Sequence, residues 1–236
     1  FFLLDMALSG SASLRVPLPT QPSLGYTVSM WVHIDRFDRS SITNAAPLRL
    51  FTFLSASNIV EALITEAADR PGARYLTLGE SSIFDAFSFQ TGTWYNVVVA
   101  ANRHRLHSNS ASLYVDGVFR QSIKAPLPSS STELILGTPA SLRRPSSDLC
   151  WRLGPTVVWE TPLAATQIAN IFSVGPSYTG SFLGEFKTLR TSEIMMSAGD
   201  GETAKDNNTS NVSIEQARVL VSVNAKSRPA RTAEWL

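Results

Sequence analysis

The alternation of residues 25–35 constrains the fold more than any other part of the sequence. Every second side chain from Val28 to Ile34 is aliphatic, and the side chains between them are polar or aromatic. A period of two places the aliphatic set on one face, which is typical of a strand with one buried face. Other segments rich in β-branched and aromatic residues are 12–16, 48–54, 58–65, 74–79, 82–89, 94–101, 111–116, 118–124, 132–137 and 150–159. Many short strands at a spacing of roughly 8–12 residues predict an all-β sandwich or jelly roll.

Turn residues support this prediction. Asp116-Gly117 separates two apolar segments, and Asp-Gly suits the positive φ angles of a type I′ hairpin turn. Pro71-Gly72 is predicted to separate the strands at 58–65 and 74–79.

One short helix is predicted near the end of the strand-rich region. Thr161 suits the N-cap and Pro162 the first helical position, where a missing N–H costs nothing. Apolar residues recur at helical spacing over 163–172, and Gly175-Pro176 indicates the end of the helix. We expect the apolar face of this helix to lie on the sandwich.

The composition changes beyond about residue 186. Residues 197–213 are polar and cannot bury enough apolar surface to offset the entropy of ordering, so they predict a disordered linker. Ser213–Gln216 resembles a capping box, which predicts the start of a short helix. The predicted organisation is a β-sandwich over residues 1–185, followed over 186–236 by a linker and the start of a helical segment.

Composition excludes several classes of function. Twenty basic and nineteen acidic residues give a net charge of +1, so no general attraction to nucleic acid is expected. The single cysteine, Cys150, excludes an intrachain disulfide, and three histidines leave little for a metal centre. We therefore expect no metal and no cofactor. Asp116 could serve as a calcium ligand, but the turn accounts for it without calcium.

Catalysis is not expected either. Glycosidases with this type of fold present paired carboxylates on one face of a strand, whereas Glu61 and Glu66 are five residues apart and fall on opposite faces. No Gly-x-Ser-x-Gly segment is present. A Ser-His-Asp site is left open, because its members meet only in space.

Two groups of residues are weak candidates for binding. Arg103, Arg105 and His107 form a basic loop, and Arg143-Arg144 form another. Either loop could contact a phosphoinositide or an acidic partner, although solvated loop charge is the commoner explanation. Trp31 and Trp94 could stack on a sugar, but their place within strand periodicity favours packing. Trp151 and Trp159 are interpreted in the same way.

Several segments together resemble a known family. Tyr26–Val32, Trp94–Val99, Leu113–Gly117 and Leu134–Gly137 occur in the order found in concanavalin A-like and laminin-G-like sandwiches. The closing segment, Leu153–Trp159 followed after the predicted helix by Gly175–Phe182, resembles the concanavalin A-like jelly roll of BEACH-domain proteins, the family of neurobeachin.

This resemblance implies a large, multidomain, cytoplasmic scaffold in vesicle trafficking and autophagy, with PH-like, BEACH and WD-repeat parts downstream. The implied role is a non-catalytic protein-interaction or structural module, with membrane association only peripheral and through the parent protein. An alternative is a carbohydrate-binding, lectin-like or laminin-G-like domain of a secreted or luminal protein, which the five tryptophans and the sequons at Asn207, Asn208 and Asn211 would suit. A membrane-surface module acting through the basic loops is a third possibility.

Overall fold

Two antiparallel sheets and one helix make up the part of the chain that the structure, a computed structural model, describes. It describes residues 6–9, 13–18, 24–38, 46–54, 59–79, 81–104, 108–128, 133–139, 142, 147–176 and 219–223. The strands are β1 (Met6–Ser9), β2 (Ser13–Pro17), β3 (Gly25–Arg36), β4 (Leu48–Leu54), β5 (Ile59–Ala67), β6 (Arg70–Leu78), β7 (Ser82–Phe84), β8 (Trp94–Asn102), β9 (Ser110–Val115), β10 (Val118–Lys124), β11 (Glu133–Gly137), β12 (Cys150–Trp159) and β13 (Val219–Val223), and the helix is α1 (Ala165–Val174).

The strands form two sheets that pack face to face. Sheet A has the order β1-β12-β3-β8-β9-β10, and β13 also pairs with β12. Sheet B has the order β2-β11-β4-β5-β6-β7. The all-β class and the sandwich architecture predicted from the sequence are confirmed.

The core lies between the inner faces of the two sheets, and β3 shows why the alternation forms it. Its aliphatic side chains from Val28 to Ile34 are all buried, as the period of two predicts. Tyr26 extends this inner face and packs its ring 4.7 Å from that of Phe53 on β4. Full burial of an apolar side chain contributes about 1.5–3 kcal/mol relative to exposure, so a row of such residues stabilises the sheet pairing strongly.

Most strand limits agree with the sequence patterns, and β4, β10 and β12 agree at both ends. The segment 82–89 pairs as a strand only over Ser82–Phe84. Its remaining aromatic residues leave the ladder and pack on β8: Phe87 and Phe89 lie with ring centroids 5.7 and 5.4 Å from Tyr95.

The predicted turn at Pro71-Gly72 is wrong. The β5–β6 hairpin turns at Ala68–Asp69, and Pro71 and Gly72 lie inside β6, where the ladder has a register shift. Gly72 adopts φ 84°, and its N–H donates a hydrogen bond of 2.8 Å to the carboxylate of Glu66. A glycine in this backbone region forms a bulge without steric cost, which is why the pair is tolerated within a strand.

The Asp116-Gly117 turn is confirmed. Its φ angles are 54° and 73°, both positive as a type I′ turn requires. The Asp116 carboxylate accepts the backbone N–H of Asn96 at 2.8 Å, and the Asp116 N–H donates to the Asn96 carbonyl at 2.9 Å. The Asp116 side chain, which was considered as a calcium ligand, thus has a structural role: it joins this turn to β8.

Helix α1 ends where predicted but begins later. Gly175, at φ 78°, caps its C-terminus by donating its N–H to the Phe172 carbonyl at 2.9 Å. The first helical residue is Ala165, not Pro162, and Thr161 is not the N-cap. The residues before Ala165 remain extended because they are hydrogen-bonded to β3. The helix begins after Ala164, whose N–H donates to the side chain of Gln167 at 2.7 Å.

The outer edge of β12 carries two short strands that the sequence patterns do not predict. β1 pairs antiparallel with Cys150–Leu153, and β13 pairs antiparallel with Thr156–Trp159. The helix predicted after Ser213 is therefore wrong over Val219–Val223, where valines with high β propensity meet a strand edge that can pair with them. The predicted linker at 197–213 lies outside the described residues, and the boundary at residue 185 stays a prediction.

Candidate functional site

Helix α1 covers part of the outer face of sheet A. The sequence alone does not show whether this face contacts solvent or protein. A second apolar cluster lies there, separate from the core, and consists of Val98, Ala100, Tyr114, Val157, Trp159, Leu163, Ile168 and Ile171. The Thr27 hydroxyl fixes the approach to the helix, since it accepts the Leu163 N–H at 2.8 Å and donates to the Thr161 carbonyl at 2.9 Å. Ser29 and Asn96 lie beneath α1 and are buried by it. The distance between Ser29 Oγ and Asn96 Nδ2 is 3.3 Å.

Aromatic side chains from sheet A and from α1 meet on the same outer face. We call this group the aromatic strip and define it as Trp31, Trp94, Tyr114 and Phe119 of sheet A together with Phe172 of α1. The Trp31 ring stacks on Phe172 with centroids 5.8 Å apart and planes at 22°. Phe119 makes an edge contact with Tyr114 at 5.5 Å and is 52% exposed.

Two glycines allow these rings to approach the sheet. A Cβ added at Gly154 would lie 2.8 Å from the Cβ of Trp31 and 3.3 Å from the Cζ3 of Trp94. A Cβ added at Gly117 would lie 3.0 Å from Phe172. Trp31 and Trp94 are predicted to pack in the sandwich or at its edge, but the structure places them on the outer face of sheet A, where they contact other rings and stay partly exposed.

Asp35 organises charged side chains at one end of the strip. Its Oδ2 lies 3.0 Å from Arg152 Nε and its Oδ1 lies 3.1 Å from His33 Nδ1. The His33 ring in turn contacts that of Trp94 at 5.3 Å. Burial, and then the negative charge of Asp35, raise the pKa of the neighbouring Cys150 thiol. This thiol is therefore a poor nucleophile at neutral pH.

The carboxylates of β5 are occupied by arginines. Glu61 forms an ion pair with Arg49 on the outer face of sheet B. Glu66 accepts Arg74 at 2.8 Å, and the Arg74 guanidinium lies 4.3 Å from the Phe37 ring. The two glutamates pair with different arginines.

A groove of about 520 Å³ lies on the outer face of sheet B, between the β5–β6 hairpin and β7. Tyr75 and Thr77 line it from β6, and Asp85 lies beyond β7. Gln121 reaches it from β10, donating to Asp85 at 2.9 Å and accepting the Ala86 N–H at 3.1 Å.

The basic loop named from the sequence is only partly described. Arg103 is exposed and donates from its guanidinium to the Pro128 carbonyl at 3.3 Å. Arg105 and His107, like the Arg143-Arg144 pair, lie outside the described residues. The site predicted at Arg103, Arg105 and His107 therefore stays a prediction.

No cluster of three or more metal-ligating side chains occurs among the residues that the structure describes. Within that same part of the chain, no helix has the length and apolar composition needed to cross a membrane.

Comparison with known families places this fold. The model of the concanavalin A-like lectin/glucanases superfamily matches residues 8–169. The chain belongs to this superfamily. The match runs from the second half of β1 to the first half of α1, so it includes the strands from β2 to β12 and the aromatic strip except Phe172.

A curated relative adds the wider context. Mouse WD repeat- and FYVE domain-containing protein 4 is 25% identical over 223 residues, in a match that covers 75% of this chain and 7% of the relative. The chain thus spans a small fraction of that protein, which confirms the predicted resemblance to a domain of a much larger protein.

Solved structures show the same superfamily fold. The binding domain of botulinum neurotoxin serotype D/C VPI 5993 superposes with a TM-score of 0.53 at 15% identity, over 76% of this chain and 45% of that one. The serotype D binding domain gives a TM-score of 0.50 at 15% identity, over 72% and 43% of the two chains. At this identity the likeness concerns the fold alone.

Proposed function

We propose that this superfamily member is a non-catalytic protein-interaction or structural module of a large BEACH-type scaffold in vesicle trafficking and autophagy. Its location would be the cytoplasm, with contact to endomembranes through the parent protein. The similarity to the WD repeat- and FYVE domain-containing protein supports a role within a large scaffold. The match spans 7% of that protein, so most of that protein lies outside the matched domain and could contact it.

The aromatic strip is the observation that carries the proposal. Aromatic side chains with charged groups at the rim are typical of the centre of a protein interface. Here Trp31 and Phe172 remain partly exposed, and Phe119 at the end of the strip is 52% exposed. The Asp35–Arg152 pair lies at its opposite end. The partner surface that fits would be apolar at its centre and polar at its edge.

Three acidic side chains support a non-catalytic role. Glu61, Glu66 and Asp35 each form an ion pair with an arginine of the same domain, which favours a structural role for these carboxylates.

The test compares two exposed apolar residues in the full parent protein. Phe119→Ser alters the strip, and Ile59→Ser is the matched control on sheet B, where the side chain is 55% exposed. Quantitative cross-linking should show that cross-links from this domain to other parts of the scaffold or to its partners fall with Phe119→Ser only. Equal cross-linking for both variants, with both domains folded, would refute the role of the strip.

Carbohydrate binding is a second candidate, which the groove on sheet B favours. A sugar site commonly joins an aromatic ring to carboxylate and amide groups, and Tyr75, Asp85 and Gln121 provide these here. Saturable binding on a glycan array that Asp85→Asn abolishes would support it. Binding that Asp85→Asn leaves unchanged would exclude this groove.

A further inference from the structure

The C-terminal half of the β12 edge is occupied by a strand from far along the chain. β13 pairs with it in the register Thr156↔Val223, Val157↔Ser222, Val158↔Val221 and Trp159↔Val219. On its other side the same part of β12 is paired with β3. β13 therefore adds to a sheet that is already complete on one side, which is the geometry of strand addition.

The edge beneath β13 is strongly suited to accept a strand. Thr156, Val157, Val158 and Trp159 are all buried, Val158 towards the core and Val157 and Trp159 towards α1. Their backbone N–H and C=O groups thus lie beside apolar side chains, where unpaired polar groups are costly. An edge without a strand there would act as a template for pairing with another segment.

We propose that the Thr156–Trp159 edge is an acceptor site for an extended, β-branched peptide strand of a protein partner, and that β13 is its tethered occupant in the same chain. The chemistry of the occupant is read from β13 itself, Val-Leu-Val-Ser-Val, which is uncharged and pairs antiparallel. This site is distinct from the aromatic strip, which lies on a face of sheet A rather than at its edge.

The connection between α1 and β13 makes β13 an intramolecular competitor for the site. Residues 177–218 separate the end of the described α1 region from β13. A tethered strand competes with any partner at an effective concentration that its connection sets. A partner strand therefore replaces β13 when the ratio of its concentration to its Kd exceeds the ratio of that effective concentration to the Kd of β13.

The test uses the full chain and a synthetic, fluorescent peptide of residues 216–226. In the full chain, Val221→Pro with Ser222→Pro weakens β13, because one of two successive residues must direct its N–H at β12 and proline has none. The peptide should bind this double-proline chain at least about tenfold more tightly than the unaltered chain, since the tethered competitor is removed. Hydrogen exchange should show that the bound peptide protects the amides of residues 156–159.

Two controls make the outcome specific. A peptide with the same two prolines should not bind. Phe119→Ser made in the double-proline chain should leave peptide binding unaltered, so that failure of the strip and failure of the edge are distinguished. The double-proline chain should still unfold in one cooperative thermal transition, at a lower Tm because the β12 edge loses its paired strand. Equal affinity of the peptide for both chains, or no binding to a folded double-proline chain, would overturn the proposal.

Discussion

Replacing Thr27 by valine isolates the contact that holds α1 on sheet A. The Thr27 side chain is fully buried, and its hydroxyl is bonded to the Leu163 N–H and the Thr161 carbonyl, which lie in the extended segment that leads into the helix. Valine preserves the shape of threonine, so the core packing on either side is unchanged, but it leaves both backbone groups without this partner. Each unsatisfied buried polar group costs about 1–3 kcal/mol.

We therefore expect Thr27→Val to lower the free energy of unfolding by about 2–5 kcal/mol, nearer the lower value because the Thr161 side of the bond is only partly buried. For a domain of this size the Tm should fall by about 2–4 °C per kcal/mol. Urea unfolding, followed by tryptophan fluorescence, measures the loss, and hydrogen exchange should locate the added opening in residues 163–174.

Thr27→Ser is the matched control. It retains the hydroxyl and removes one methyl group, which costs about 1 kcal/mol. If Thr27→Val unfolds within about 0.5 kcal/mol of the unaltered chain, the hydroxyl does not anchor the helix and the reasoning is refuted.

Two further predictions concern the core and the strip. Burial raises the pKa of Tyr26, whose hydroxyl has no hydrogen-bond partner among the described residues. Above pH 10 the unfolded chain loses this proton while the folded chain retains it, so stability should fall by up to about 1.4 kcal/mol per pH unit. Tyr26→Phe should remove this part of the slope in urea unfolding between neutral and alkaline pH, and an unchanged slope would contradict the burial. Gly154→Ala should cost about 1–3 kcal/mol because its Cβ would collide with Trp31, and an unchanged Tm would show that the strip is less tightly packed than described.

The sequence predicted those parts of the fold that depend on residues close together in the chain. The alternation in β3 and the Asp116-Gly117 turn depend on residues next to one another, and both are confirmed. Pro71-Gly72 failed as a turn because the hairpin could place its bend at Ala68–Asp69 and absorb the glycine as a bulge. A dipeptide can satisfy either arrangement, and only the pairing of the two strands selects one.

The candidate sites depended on contacts that no local pattern contains. Asp35 meets Arg152 across 117 positions of sequence, and Trp31 meets Phe172 only because α1 lies on sheet A. The amphipathic helix was predicted to lie on the sandwich, but not on which face. A signal was present in Thr27 and Ser29, small polar residues on the outer face of β3, although exposure to water would explain them equally well.

The positions of β1 and β13 also determine how this domain joins a longer polypeptide. Both strands run antiparallel to β12 and hence in the same direction, with Met6 opposite Leu153 and Val223 opposite Thr156. The backbone arriving at Met6 and the backbone departing after Val223 are thus separated by three positions of β12, roughly 10 Å. Chain segments attached at these two points would leave the sandwich side by side, from the same edge of sheet A.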